Sequence, residues 1–511
     1  MRAEAYWADC EKRMNSRLLF SASVLAFLSL CPAWATDAVK GIETGFISYN
    51  GVDERCVRIS PIPGGDYDKG DIEDETELCE LDFYDDKLAV CPKTWATSIG
   101  AVIYDITSGP FKGRRREFQE EACLAGRLAK YIARKDLGKL KITMNQRFTS
   151  GTFSTSSLLY YHFSRYFDFT AKIPVAVWRN MDAQVFKDEI AEGGFGISSL
   201  NTMWRRNAMA WRVMLSALSD PDTYSKPAGF GTPDDIFSAD RTKVYGALLD
   251  GSGNAYGPEF NGPLDASWGK AGYQALQRTP AYIALRYDGS LSEAIARGID
   301  AMQDLPPAPE GGKKWPVSSQ QMAFWMREWS EIALIDFIMS QQDRPGNIDF
   351  RAYYYWVENG DLKHVRADDR APVDGSIPED AILIRRTRVN DNDAGGRPIF
   401  ENFARETGML ENLRHFDSKI YTRLMELDAD FKSRGAILRW LESSLGLEPA
   451  DVKMIVDNTS DASAILRGLC ERGEMRFDLN PKRVFESGDM TSDIISCRTT
   501  LPAPIFRVGP Q

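Results

Sequence analysis

Histidine is nearly absent: the 511 residues contain only His162, His364 and His415. That leaves no material for a histidine-rich zinc centre and few partners for a Ser-His-Asp triad. No Cys-x-x-Cys occurs, which removes zinc ribbons and thioredoxin-type redox sites. An excess of basic charge is missing too. Lys and Arg number 62 against 73 Asp and Glu, for a net charge of −11. Nucleic acid is thereby excluded as the main partner, because neutralising phosphates needs clustered cations. Beyond the N-terminus no apolar run is long enough to cross a bilayer, so the mature chain is expected to be soluble. Neither a solenoid-period repeat nor a Gly-x-Gly-x-x-Gly loop occurs.

What is present describes a globular, exported protein. Hydrophobic residues make up 43% and aromatics 11% of the chain, which excludes a mostly disordered polymer. The length suits several domains or one large bilobal unit. Lys12, Arg13 and Arg17 precede the apolar stretch 18–30, and Ala33-Trp34-Ala35 follows as a small-x-small cleavage signal. Residues 1–35 are therefore read as a signal peptide cleaved before Thr36, with Met14 as an alternative start. A periplasmic or secreted location follows. Cleavage leaves Cys56, Cys79, Cys91, Cys123, Cys470 and Cys497. An even set in an exported chain suggests disulfides. Proximity favours 56–79, 91–123 and 470–497 among the pairings open to it.

Residues 36–90 read as an irregular acidic extension, with Asp and Glu clustered at 71–77. Strands are expected within 94–106, at 137–144 and at 173–179. Glu117 to Arg134 has the apolar stripe of a helix. Ser154 to Ser157 make a capping cluster before a short aromatic helix ending at Phe167. Residues 219–239 and 304–315 are loops. Lys243–Leu249 and Tyr256–Asn261 flank Asp250-Gly-Ser-Gly-Asn254, a hairpin-like signal. Ser318 and Ser319 begin a helix running to about Ser340, strands follow over 348–390, and 412–470 is rich in helix.

The densest chemistry lies in two acidic loops. One follows the apolar helix and reads Gln342-Asp343-Arg344-Pro345-Gly346-Asn347. The other follows the strand at 381–384 and reads Asn390-Asp391-Asn392-Asp393-Ala394-Gly395-Gly396. A loop Asp beside another Asp or Asn orients a nucleophile and binds divalent cations, which is what phosphoryl transfer requires.

Asp-Arg-x-x-Asn after an apolar helix, then Asp-x-Gly after a strand, resembles the catalytic and metal-binding loops of atypical kinases. These are the secretory-pathway kinases of the Golgi casein kinase and four-jointed type, the HipA toxin kinases and the phosphoinositide kinases. The segment from Ser157 to Phe169, followed by Lys172 to Arg179, is similar to the helix and next strand of the secretory kinases. The resemblance spans about 91 to 444. It implies an α+β, bilobal, protein-kinase-like fold with disulfides: a sheet-rich N-lobe at 91–245, a helical C-lobe at 246–470 and a tail at 471–511. It also implies roles. Asp343 would take the substrate hydroxyl proton, Asn347 and Asp393 (with Asp391) would hold Mg²⁺ or Mn²⁺, and Lys141 or Lys139 would contact ATP phosphates. Asn347 lies four positions after Asp343, where the family pattern has five. Ser157 stands where a Glu partner of the lysine is usual, so Glu117, Glu120 or Glu121 is the substitute.

The expected activity is transfer of the ATP γ-phosphate to a hydroxyl on a protein, glycan or lipid. Two alternatives stay open: a non-catalytic kinase-like binding module, and a secreted hydrolase using paired carboxylates among Asp343, Asp391 and Asp393. Asp391-Asn-Asp-Ala-Gly also reads as a calcium loop, but Asn402 stands where the bidentate Glu belongs. Arg385, Arg386 and Arg388 form either a charged strand face or a phosphate contact. His162, Trp325 and Trp329 read as core.

Overall fold

The computed structural model describes residues 39–124, 128–144, 151–200, 205–221, 232–250, 253–263, 268–305, 317–367 and 377–497. The signal segment lies outside them. The fold is α+β, built on a large antiparallel sheet with helices packed around it.

Seven strands form that sheet: β1 (Gly41–Ile47), β2 (Asp53–Ile59), β3 (Leu88–Pro92), β4 (Gly100–Asp105), β5 (Lys135–Ile142), β6 (Ala176–Asp182) and β7 (Lys243–Leu249). Their spatial order is β1-β2-β6-β7-β5-β4-β3, with every neighbour antiparallel. β3 and β4 are continuous apolar runs because both faces are buried. β5 alternates. Leu140 and Ile142 are fully buried on one face, so period-two geometry turns Lys139 and Lys141 to the other.

The described part of the segment read as irregular, residues 39–90, is instead ordered. It supplies β1 and β2 and then helix α1 (Lys69–Cys79), whose acids at 71–77 belong to a helix capped by Asp68. Composition hid this, because a dense run of acids reads as loop, whereas Asp71 and Glu75 are buried on the helix and only the others face outward. The long helix expected over 117–134 is broken into Arg115–Glu117, a π-turn at Phe118–Cys123 and Leu128–Ile132. Helix α2 (Ser154–Phe167) starts at the serine cluster, yet none of those side chains caps it. Phe153 holds the cap position, and Ser154 to Ser157 are buried inside the helix.

Helix α3 (Ser319–Met339) is capped by Ser318 and buried from Gln321 to Met339. A helix apolar nearly all round belongs at the centre of a core, and Trp325 and Trp329 are fully buried there. Its few charges are matched. Arg327 pairs with Glu331 at 2.5 Å, and Glu328 receives Arg386 at 2.7 Å. Against it packs α5 (Pro449–Glu471), and α4 (Ser418–Lys432) packs in turn on α5.

A second antiparallel sheet holds β8 (Asn254–Ala255), β9 (Asp349–Glu358), β10 (Asp361–Arg366) and β11 (Ile382–Arg388). The hairpin expected around residues 250–254 does not form. β7 pairs with β5 and β6 in the first sheet, whereas Asn254 and Ala255 pair with β9 in the second.

Three disulfides join Cys56–Cys79, Cys91–Cys123 and Cys470–Cys497, the pairing that proximity favoured. Among the described residues no helix is long and apolar enough to cross a membrane. The Cys56–Cys79 bridge closes a separation of 23 residues between β2 and α1. Replacing both cysteines with serine is expected to lower unfolding stability by about 3 kcal/mol. Denaturant titration of wild type and the double variant checks this.

Candidate functional site

Lys141 leaves the middle of the seven-stranded sheet, where β5 runs between β4 and β7. Its ammonium lies 2.5 Å from Asp391 and 3.2 Å from Asp393. Lys141 and Asp393 are buried, while the Asp391 side chain is 40% exposed. So the lysine and two of the acids singled out in the sequence meet, although some 250 positions separate them.

The loop carrying those acids is fixed by its neighbours. Arg344, fully buried, binds Asp336 of α3 through two bonds of 2.9 Å. Its remaining donors reach the Asp391 carbonyl at 3.0 Å and the Asn392 side chain at 2.9 Å. Tyr160 of α2 donates to the same Asp336 at 2.7 Å. Backbone bonds complete the seam. Gln342 donates to Ala394, Gly396 to Met339 and Phe153 to Asp393. The Asp-Ala-Gly-Gly sequence is needed for this approach. A side chain on Gly395 would meet the Met339 carbonyl at 2.9 Å, and Gly396 has a φ of 83°.

Asp343 and Asn347 occupy the turn after α3, beside that seam. The Asn347 amide donates to the Asp343 carbonyl at 2.7 Å, and the Asp343 N–H donates to the Gln341 side chain at 3.1 Å. Gln341 Nε2 in turn reaches the Asp391 carbonyl at 3.4 Å. The structure thus sets the turn of Asp343 and Asn347 against the loop of Asp391 and Asp393.

Glu117 is elsewhere. It pairs at the surface with Arg114 at 2.6 Å, and Glu120 pairs with Arg116. The expectation that one of them meets Lys141 is corrected: the broken helix carries these acids outward, and Asp391 and Asp393 occupy the ammonium. Lys139 flanks Lys141 on the same strand and is half-buried. Arg385 and Arg386 are buried against Glu259 and Glu328, both at 2.7 Å. They are structural pairs, not an open cationic face. His162 packs in the core, its Nδ1 2.5 Å from the Tyr67 hydroxyl.

One member was not anticipated. Lys93 opens the turn joining β3 to β4, is buried, and reaches the Ser98 hydroxyl at 2.7 Å. The segment from Lys93 to Ser98 is short and rich in small hydroxyl residues, the available signal of a turn. Its position just ahead of the strand region expected at 94–106 concealed it.

Electrostatics drive the four groups apart. Burial pulls the Lys93 ammonium down to about 8, and the Lys141 charge adds to this against the opposing acids. Burial also opposes charge on Lys141, but Asp391 and Asp393 outweigh it and hold its pKa above that of an ordinary lysine. Burial would raise the Asp391 carboxyl, yet Lys141 and Lys93 overcome it and push it well below the usual range. Asp393 moves upward, through burial first and the Asp391 charge next, despite Lys141. Groups displaced in opposite directions in one place mark a candidate for chemistry.

No protein-family model matches the chain, and no curated protein matches it.

Two measurements probe this architecture. Arg344→Met should cost about 3–5 kcal/mol, because Asp336 is left buried and unpaired. Adding Asp336→Leu should recover much of that loss in denaturant unfolding. The second concerns Lys93. Unfolded, it keeps its proton to about pH 10.5; folded, only to about 8. Between these values the unfolded state binds more protons, so this group's contribution to stability rises with pH. Wild type should gain on Lys93→Met from pH 8 to 10.5 in parallel melts, and an unchanged gap would refute the shift.

Proposed function

We propose that the chain is an exported, ATP-dependent phosphotransferase of the atypical kinase kind. It would move the γ-phosphoryl group to a hydroxyl on a protein, glycan or lipid. One observation carries this reading: the Lys141 ammonium meets the two acids of the Asp391-Asn-Asp-Ala-Gly loop, with the Asp343 turn stitched alongside. Export is supported by the three disulfides and by the N-terminal sequence signal.

In this reading Lys141 and Lys93 are the counter-charges for nucleotide phosphates, and the turn from Lys93 to Ser98 covers them in place of a glycine-rich loop. Asp393, Asp391 and Asn347 would hold Mg²⁺ or Mn²⁺. The fit rests on Asp393 Oδ2, which is buried and accepts no hydrogen bond although Lys141 lies 3.2 Å away. Among the described residues no cluster of three His, Cys, Asp or Glu side chains is disposed to hold a metal. A cation here would therefore take part of its oxygen shell from phosphate, as is usual for magnesium. When bound, it would neutralise charge on the transferring group. Asp343 would accept the proton as the acceptor oxygen bonds to phosphorus and the bond to the ADP oxygen breaks.

A second reading, a nucleotide-binding module without turnover, has its own observation. Ser157 stands where kinases of this kind place a glutamate, and the Ser156 and Ser157 hydroxyls are buried without partners. The hydrolase alternative is weaker. A glycosidase needs its two carboxyls on either side of the scissile bond, whereas Asp391 and Asp393 bind one ammonium.

Incubation of the mature protein with labelled ATP and Mn²⁺ or Mg²⁺ tests the proposal. ADP release or self-labelling is expected from wild type. Asp343→Ala and Asp393→Asn should each lower it by about a hundredfold or more, while their circular dichroism and melting stay near wild type. Equal activity in all three removes these residues from the mechanism. Nucleotide-dependent stabilisation without ADP release selects the binding module.

A further inference from the structure

A cavity of about 200 Å³ opens where the first turns of α1 face the segment between α2 and β6 and the adjoining ends of β9 and β11. It shares no lining residue with the Lys141 cluster. Its walls are charged, and the charges do not balance evenly. Arg165 is occupied by Asp71 through bonds of 2.9 and 2.6 Å, and Arg386 is occupied by Glu328. Asp250 receives two guanidiniums, Arg388 at 2.6 Å and Arg351 at 3.4 Å.

Lys172 adds a third positive group. Its backbone is pinned, with the N–H donating to Thr387 and the carbonyl accepting from Val389. Its side chain is exposed and makes no ion pair with a described residue. A lysine held beside the cavity by main-chain bonds, next to the guanidiniums of Arg351 and Arg388, presents an oxyanion site. The opposite wall is of the other kind. Asp68 and Asp74 of the α1 turn line it, and Asp74 is exposed. Carboxylates there would repel a bare polyanion and accept hydrogen bonds from hydroxyls.

We propose that this cavity binds a small phosphorylated polyol. The phosphate would lie on Lys172, Arg351 and Arg388, and the hydroxyls would donate to Asp68 and Asp74. At about 200 Å³ the cavity is smaller than ordinary small-molecule sites of roughly 300–1,000 Å³, so a three-carbon phosphate monoester matches it better than a nucleotide. The phosphate competes with Asp250 for its two guanidiniums. Asp250 directly follows β7, while Arg351 and Arg388 belong to β9 and β11, so binding acts on a contact between the two sheets. The inference does not depend on the phosphotransferase reading.

Titration calorimetry of the mature chain with glycerol 3-phosphate, inorganic phosphate and glycerol tests this. Glycerol 3-phosphate should bind saturably and more tightly than phosphate, and glycerol should not bind. Lys172→Met, an exposed change whose folding is checked by melting, should weaken binding roughly tenfold or more, the scale of one charge-assisted hydrogen bond. Lys93→Met, in the other site, should leave it unchanged. The proposal is overturned by absence of saturable binding, by equal affinity in wild type and Lys172→Met, or by loss confined to Lys93→Met. Phosphate binding as tightly as glycerol 3-phosphate overturns the polyol assignment.

Discussion

A buried guanidinium without a partner costs several kcal/mol, and Arg344 has none of its surface exposed. Its position is tolerable only because Asp336 meets it with two bonds while the loop of Asp391 and Asn392 takes its other donors. That one side chain ties the end of α3 to the acidic loop, and Tyr160 brings α2 to the same carboxylate. The acids that face Lys141 are therefore positioned by an ion pair that does not itself contact the lysine. Such geometry is strict, since a bidentate fork has one satisfactory orientation.

The same logic recurs along α3. Glu328 and Glu331 are fully buried, and each meets an arginine. Glu328 fixes Arg386 of β11, and Glu331 accepts the N–H groups of Thr170 and Ala171 just before β6. The central helix thus locates β11 of one sheet and the segment that leads into β6 of the other. Charges in a core add little net stability against a well-packed apolar substitute. What they provide here is register between elements far apart in the chain.

At the candidate site, two lysines and two aspartates act on one another's charge. Each ammonium is the environment of the other three groups, so their proton affinities diverge: Lys141 and Asp391 are held charged, whereas Lys93 and Asp393 are pushed toward neutrality. A cluster of this kind gives balanced charge without a bound ion and offers both signs to an incoming ligand.

Much was legible locally. The apolar run ending at Met339, the period-two pattern around Lys141, the three cysteine pairs and the two acidic loops follow from residue type and spacing, because those are set by nearest neighbours along the chain. Composition misled in two places: the acids at 71–77 sit on a helix, and the stripe at 117–134 is broken by a π-turn, with Glu117 paired to Arg114 at the surface. Lys93, the Arg344–Asp336 fork and the crossing after Asp250 depend on contacts between residues tens to hundreds of positions apart. No periodicity encodes which cation meets which acid. Sequence alone determined the chemical types and their local elements; packing of two sheets around a buried helix decided which of them touch, since an ion pair out of water exists only where the fold brings both charges to one point.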